Sequence, residues 1–172
     1  YAPTYLFGPR RPWRVYCWCV LYIGVLLSSL VLLRDGDDGR SWVFLALLST
    51  FATDTGAYAV GRLLGRHKMA PRISPKKTWE GAVGGYVAGV AGCFALDRAF
   101  DLGVSTATLL PLALALPVFA QTGDLFESWM KRKMEVKDAS GLLPGHGGFM
   151  DRLDSVLFVA PLVYLFVRLR LS

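Results

Sequence analysis

Uncharged stretches of membrane length alternate with short polar segments along most of this chain. Val15 to Leu33 runs for 19 residues without a charge, which as a helix would reach roughly 28 Å at ~1.5 Å per residue, near the thickness of a bilayer's hydrocarbon core. Ser41 to Val60 is a second run, broken only by Asp54, and Gly81 to Leu96 and Leu102 to Gly123 are a third and a fourth. The fourth carries Pro111 and Pro117, which membrane helices tolerate better than soluble ones. Ser155 to Val167 is the fifth and shortest; Leu169 and Leu171 extend it if Arg168 and Arg170 snorkel toward the headgroups. One small soluble core would not bury four such runs, so the pattern predicts an all-α, polytopic transmembrane helix bundle of about five spans. The first run is too long for the apolar region of a signal peptide, and no small-residue cleavage site follows it, so it is expected to stay as a span.

Within the third run small residues recur every fourth position. Gly81, Gly85 and Gly89 form one stripe and Gly84, Ala88 and Gly92 its neighbour, a spacing that lets helix backbones approach closely in lipid. This is a packing signal. No low-complexity segment and no internal repeat divides the chain, so residues 1–172 are expected to form one membrane domain.

Composition changes the picture through the placement of charge. Over half of the residues are hydrophobic, 53%, and the net charge is +6. Residues 61–80 carry Arg62, Arg66, Lys68, Arg72, Lys76 and Lys77 against Glu80 alone, a local +5, and Arg10, Arg11 and Arg14 precede the first run. Residues 34–40 and 97–101 are each net −1. The positive-inside rule then puts the amino terminus, the 61–80 loop and the 123–155 segment on the cytoplasmic side. No zinc-binding or aromatic-interleaved basic pattern supports nucleic acid as a partner; anionic lipid headgroups and nucleotide phosphates suit the charge better. Cys17, Cys19 and Cys93 all lie in apolar runs and are expected to pack there, without a disulfide or metal role.

The chemistry-bearing residues fall in three places. Asp54 sits inside an apolar run; a carboxylate at membrane depth costs on the order of 2.5–3.5 kcal/mol, so it is expected to face a cavity or a partner such as Arg62. The loop Pro71 to Gly81 offers Ser74 and Thr78 hydroxyls, the Lys76 and Lys77 charges, and the free amides of the helix that follows. Together these suit a triphosphate; a basic loop that merely sets topology fits the composition equally well, and no GxxxxGK[ST] motif is present. Between Gly123 and Ser155, six carboxylates (Asp124, Glu127, Glu135, Asp138, Asp151, Asp154) face five cations (Lys131, Arg132, Lys133, Lys137, Arg152). Carboxylates hold divalent metals, and cations with glycine amides hold phosphates. Pro144 to Gly148 is expected to be a tight loop whose Gly147 and Gly148 amides approach a ligand, with His146 there to donate to a phosphate, move a proton or staple the loop. Asp151 and Asp154, three apart, share a face if a helix has begun, and Asp124 brought near Asp151 would suit magnesium beside a nucleotide phosphate. A cap, or a pair with Arg152, is the other role open to Asp154.

Ser128 to Asp154, with its spaced Ser128, Lys131-Arg132, Lys137-Asp138, Pro144, His146-Gly147-Gly148-Phe149 and Asp151-Arg152-Leu153-Asp154, resembles the full signature of the phosphatidate cytidylyltransferases, or CDP-diacylglycerol synthases. Asp54-Thr55-Gly56-Ala57-Tyr58, Gly61-Arg62 and Ser74 to Gly81 resemble that family as well. Similarity covers about residues 41–171, and the family carries further membrane helices before this region, so the chain is expected to represent its C-terminal catalytic part. The resemblance implies a magnesium-dependent nucleotidyltransferase, with room for a second cation, that moves CMP from CTP to phosphatidate and releases pyrophosphate. It implies Asp124, Asp151, Lys137 and His146 at the reacting centre, with Asp124, Asp151 and Asp154 on metal. Asp54, Ser74, Lys76, Lys77, Thr78, Gly147 and Gly148 would then hold CTP, and Lys131, Arg132 and Arg152 the lipid phosphate. The expected location is a bacterial inner membrane with the site facing the cytoplasm, and homodimerisation is left open. Three other functions remain to be separated by experiment: a CTP-dependent polyprenol or phytol kinase, a non-catalytic lipid-binding or transport protein, and an incomplete fragment that only binds CTP.

Overall fold

The structure, a computed structural model, describes residues 24–133 and 154–170. It is helical apart from one short ribbon. In chain order the elements are α1 (Gly24–Arg34), α2 (Gly39–Leu64), β1 (Lys68–Ala70), β2 (Ser74–Thr78), α3 (Trp79–Phe100), α4 (Thr106–Lys133) and α5 (Asp154–Arg170). The helices coincide with the apolar runs, with α1 covering the end of the first. Asp38 at φ 51°, Asp101 at φ 49° and Gly103 at φ 66° turn the chain in the left-handed region between α1 and α2 and between α3 and α4. Ser105 opens α4 by accepting the Thr108 N–H at 3.2 Å, as a hydroxyl N-cap does.

Among the described residues two helices are long and apolar enough to cross a membrane: α2, and α4 over Thr106–Trp129. α3 has 22 residues but is diluted by five glycines and bounded by Glu80 and by Asp97 with Arg98. α5 has 17 residues. α4 runs ten residues beyond the predicted end at Gly123, so Asp124 and Ser128 are helical positions, and Pro111 and Pro117 lie inside the helix.

The glycine stripes do what their spacing predicts. A side chain at Gly85 would lie 2.7 Å from the Thr53 carbonyl oxygen and 2.8 Å from Ala57 Cβ, and one at Gly81 would lie 2.8 Å from the Ala57 carbonyl oxygen. At Gly56 a Cβ would collide with Ala88, and at Gly84 with Val60. α2 and α3 are thus packed backbone to backbone along their length. At Gly89 the same stripe meets Pro117 of α4, which brings the third helix into register with the first two.

Below this contact a core of Leu45, Ala46, Cys93, Leu109, Leu112, Leu116, Val159 and Val163 joins α2 to α5. Trp42 packs at 6.0 Å from the Phe166 ring. Cys93 is fully buried, as its apolar surroundings predict. Large apolar side chains also point outward, among them Val83 and Val87 on α3, Leu114 and Val118 on α4, and Leu165 on α5.

The segment expected to be a loop before α3 is instead an antiparallel hairpin followed directly by the helix. Lys68 pairs with Thr78 and Ala70 with Ser74, with a register shift between them. Pro75 sits within β2, which an isolated two-stranded ribbon accepts because one edge of each strand is unpaired.

Candidate functional site

Asp54, Ala57, Tyr58, Gly61 and Arg62 recur at helical spacing on one face of α2, and that face forms one side of a cavity of about 450 Å³. The volume lies within the range of small-molecule sites, ~300–1,000 Å³. Ser74, Lys76, Lys77 and Thr78 enter from β2, Met69 from the segment before it, Gly81 and Ala82 from the start of α3, and Gln121 and Asp124 from α4. Six of the residues proposed from sequence, Asp54, Ser74, Lys76, Lys77, Thr78 and Asp124, therefore share one cavity.

Lys77 and Asp124 meet across it, Nζ to Oδ2 at 2.6 Å, with side chains 21% and 34% exposed. The pair joins the hairpin to α4. Ser128, one turn along α4, sets its hydroxyl at a long 3.5 Å from Asp124 Oδ1. Arg62 donates from Nη1 to the Tyr58 hydroxyl at 2.8 Å, so that α2 presents an oriented guanidinium to the cavity. Gln121 donates from Nε2 to the Ala82 carbonyl at 3.1 Å and so ties α4 to the first turn of α3.

Thr78, expected to donate to a phosphate, also has a structural part. Its side chain is buried, and Oγ1 accepts the Gly81 N–H at 3.2 Å as the N-cap of α3. Gly61, Gly65 and Gly81 crowd round it, with their added Cβ positions 2.8–3.1 Å from Oγ1. Thr78 thus fastens the end of β2 into the α2–α3 contact, while its hydroxyl proton stays available to donate.

Glu80, in the first turn of α3, has a role the sequence reading did not assign. Its Oε2 accepts the Arg66 N–H at 3.1 Å, both carboxylate oxygens lie 3.2 Å from the His67 N, and Oε1 is 2.6 Å from His67 Nδ1. The His67 ring, followed by the backbone amides, pulls the Glu80 carboxyl down from 4.5 to about 2. One side chain thereby clamps the entry of the hairpin to the start of α3. An acidic residue two places after a hydroxyl cap was a visible signal for a helix start; its partners, thirteen and fourteen residues upstream, were not. At the far end of the hairpin Arg132 Nε donates to the Ile73 carbonyl at 3.1 Å. The residue expected at a lipid phosphate therefore also holds the hairpin turn, with the guanidinium's other N–H groups left for further donation.

Among the described residues no three His, Cys, Asp or Glu side chains gather as a ready metal cage. The donor chemistry still fits a hard divalent cation. Asp124 Oδ2 already faces a positive charge at contact distance, Asp54 is a second carboxylate on the same cavity, and magnesium commonly takes one or two carboxylates and completes its shell with phosphate and water. Lys137, His146, Gly147, Gly148, Asp151 and Arg152 lie outside the described residues, as do the side chains of Lys131 and Asp154.

Residues 9–170 match the family described as Cytidylyltransferase family. The chain is 42% identical over 150 residues to a phosphatidate cytidylyltransferase of Bacillus subtilis, covering 87% of this chain and 56% of the relative. It is 41% identical over 144 residues to one of Staphylococcus saprophyticus, covering 84% and 55%, and 40% identical over 144 residues to one of Staphylococcus aureus, with the same shares. The chain spans about half the length of these relatives.

Proposed function

Since the chain belongs to the cytidylyltransferase family, we propose that the cavity between α2, the hairpin, α3 and α4 binds CTP and passes its cytidylyl group to phosphatidate. The products are CDP-diacylglycerol and pyrophosphate. The observation that carries this reading is the convergence of Asp54, Asp124, Arg62, Lys76 and Lys77 on one small-molecule-sized cavity. Relatives named phosphatidate cytidylyltransferase support the choice of lipid substrate.

An ionised phosphate oxygen of phosphatidate attacks the α-phosphorus of CTP. The bond from that phosphorus to the bridging oxygen breaks, and pyrophosphate leaves with the electron pair. Two polyanions must meet, so the barrier is chiefly repulsion and positioning. Lys76, Lys77 and Arg62 offset that repulsion and Ser74 donates to phosphate oxygens, while no general base is needed because the attacking oxygen carries no proton. Magnesium, when bound, supplies positive charge to the phosphate oxygens; Asp124 is the described carboxylate that would hold it, with Asp151 and Asp154 as its expected partners. Lys131, Lys137 and Arg152 remain the candidates for the lipid phosphate or departing pyrophosphate, and His146 for orienting them.

The same reading sets the chain in a bacterial inner membrane with the cavity on the cytoplasmic side. Its support is the outward apolar side chains of α3, α4 and α5, the two helices of spanning length, and the +5 charge of residues 61–80. In that arrangement α3, α5 and the first apolar run complete five spans.

The test is product analysis with the purified chain in detergent, with phosphatidate and magnesium present or withheld. Pyrophosphate released from CTP only when both are present is the expected result. Release of CDP would make the protein a kinase, and CTP binding without turnover would show that this chain does not suffice.

A further inference from the structure

Lys77 and Asp124 are bonded to each other at 2.6 Å, yet each has another partner in the reaction. The ammonium suits a phosphate, and the carboxylate suits a divalent cation. The two cations would disfavour each other at Oδ2: a metal on that oxygen would stand within a few ångströms of Nζ, where like charges repel strongly in a partly desolvated cavity. The two residues also belong to separate elements, β2 and α4, so either can leave the pair without unwinding the other's element.

We propose that Lys77 competes with divalent metal for Asp124 and releases it only when a nucleotide phosphate draws the ammonium away, so that metal and nucleotide enter the cavity as a unit. This rests on the reading of the cavity as a nucleoside triphosphate site. Lys77 is thus a positioning residue that acts through Asp124, besides being a phosphate ligand. A carboxylate shared in this way binds metal with an apparent affinity reduced by the fraction of time it is free. Removing the competitor restores the difference.

The experiment is Mn²⁺ binding to the full chain in detergent without nucleotide, with free Mn²⁺ read by electron paramagnetic resonance. Lys77→Gln is expected to bind Mn²⁺ roughly fivefold more tightly than the parent protein, the order set by a partly exposed ion pair. Lys76→Gln removes an equal charge from the same cavity but no partner of Asp124, and is expected to change affinity less than twofold by the same arithmetic. The gain of Lys77→Gln should vanish when Asp124→Asn is added. Equal gains in the two lysine variants would reduce the effect to net charge and overturn the proposal. So would an unchanged affinity in Lys77→Gln, or a gain that survives Asp124→Asn. Helix content and elution volume of each variant check that the fold is kept. The readout uses no turnover, so failure of the cytidylyl-transfer reading would appear in product analysis and failure of the competition would appear here.

Discussion

The two walls of the cavity are held by different forces. The helical wall is built by packing: Gly81 and Gly85 put α3 against the backbone of α2, and Gly89 adds α4 through Pro117. Among the described residues the hairpin wall has three polar fastenings: Glu80 at its entry, the Lys77–Asp124 pair near the end of β2 and Arg132 at its turn. Asp54 and Arg62 stand on the first wall, and Ser74, Lys76 and Lys77 on the second. The carboxylate and guanidinium of α2 are therefore carried by the packed fold itself, whereas Ser74, Lys76 and Lys77 ride on a hairpin placed by bonds that charge and pH can alter. Damage to the first wall should cost stability and activity together; damage to the second should change substrate handling with the bundle intact.

The largest effect is expected from Gly85→Val. Its Cβ would meet the Thr53 carbonyl oxygen at 2.7 Å, so α2 and α3 must separate. Overpacking of this kind costs ~1–3 kcal/mol. A thermal melt followed by helix signal should fall by several degrees, with turnover lost in parallel; an unchanged melt would mean that the two helices are not in close backbone contact. Next is Asp124→Asn, which should lower kcat by roughly 100-fold through loss of metal-held charge while the melt stays near that of the parent. Near-normal turnover would remove Asp124 from the reaction.

Glu80→Ala separates the walls more finely. It frees the hairpin entry and should raise KM for CTP by roughly tenfold with a smaller change in kcat, the signature of lost binding without lost chemistry. Titration of Glu80 gives the same separation. Its carboxyl is depressed from 4.5 to about 2 by the His67 ring and by backbone amides, so the clamp's contribution is fully present above about 4.5 and is lost as pH falls through about 2. Hydrogen exchange at the Arg66 and His67 amides, taken relative to their intrinsic rates at each pH, should accelerate as pH falls across that window in the parent protein. In Glu80→Ala it should already be fast above the window; slow exchange there would show that another group holds the hairpin. The smallest effect is expected from Arg132→Lys, about twofold on KM for CTP, because an exposed hydrogen bond to one carbonyl contributes little.

The helical wall was legible in the sequence and the hairpin wall only in part, for a physical reason. Four-residue spacing of glycines is a local pattern whose consequence, close helix contact, hardly depends on what else the chain does. Asp54 inside an apolar run announces a cavity in the same way. The hairpin carries no such period: Pro71 and Pro75 interrupt it, and its strands are fixed by partners far along the chain, such as Arg132 on Ile73, 59 residues away. Lys76, Lys77 and Ser74 were recognised by their chemistry, but their attachment was not. Gln121 was missed because a lone amide in an apolar helix signals a hydrogen bond without naming its partner, here the Ala82 carbonyl. Thr78 was identified as a hydroxyl and not as a cap, since the start of α3 was set two residues too late.

The central claim, that cytidylyl transfer to phosphatidate takes place in this cavity, is tested most directly by following isotopic label from CTP into lipid. With the α-phosphate labelled, label should enter the lipid fraction only when phosphatidate and magnesium are both present. With the γ-phosphate labelled, it should leave as pyrophosphate, and Asp124→Asn should stop both while CTP still binds. Appearance of the γ-label in lipid, or an Asp124→Asn protein that transfers α-label at the parent rate, would contradict the account.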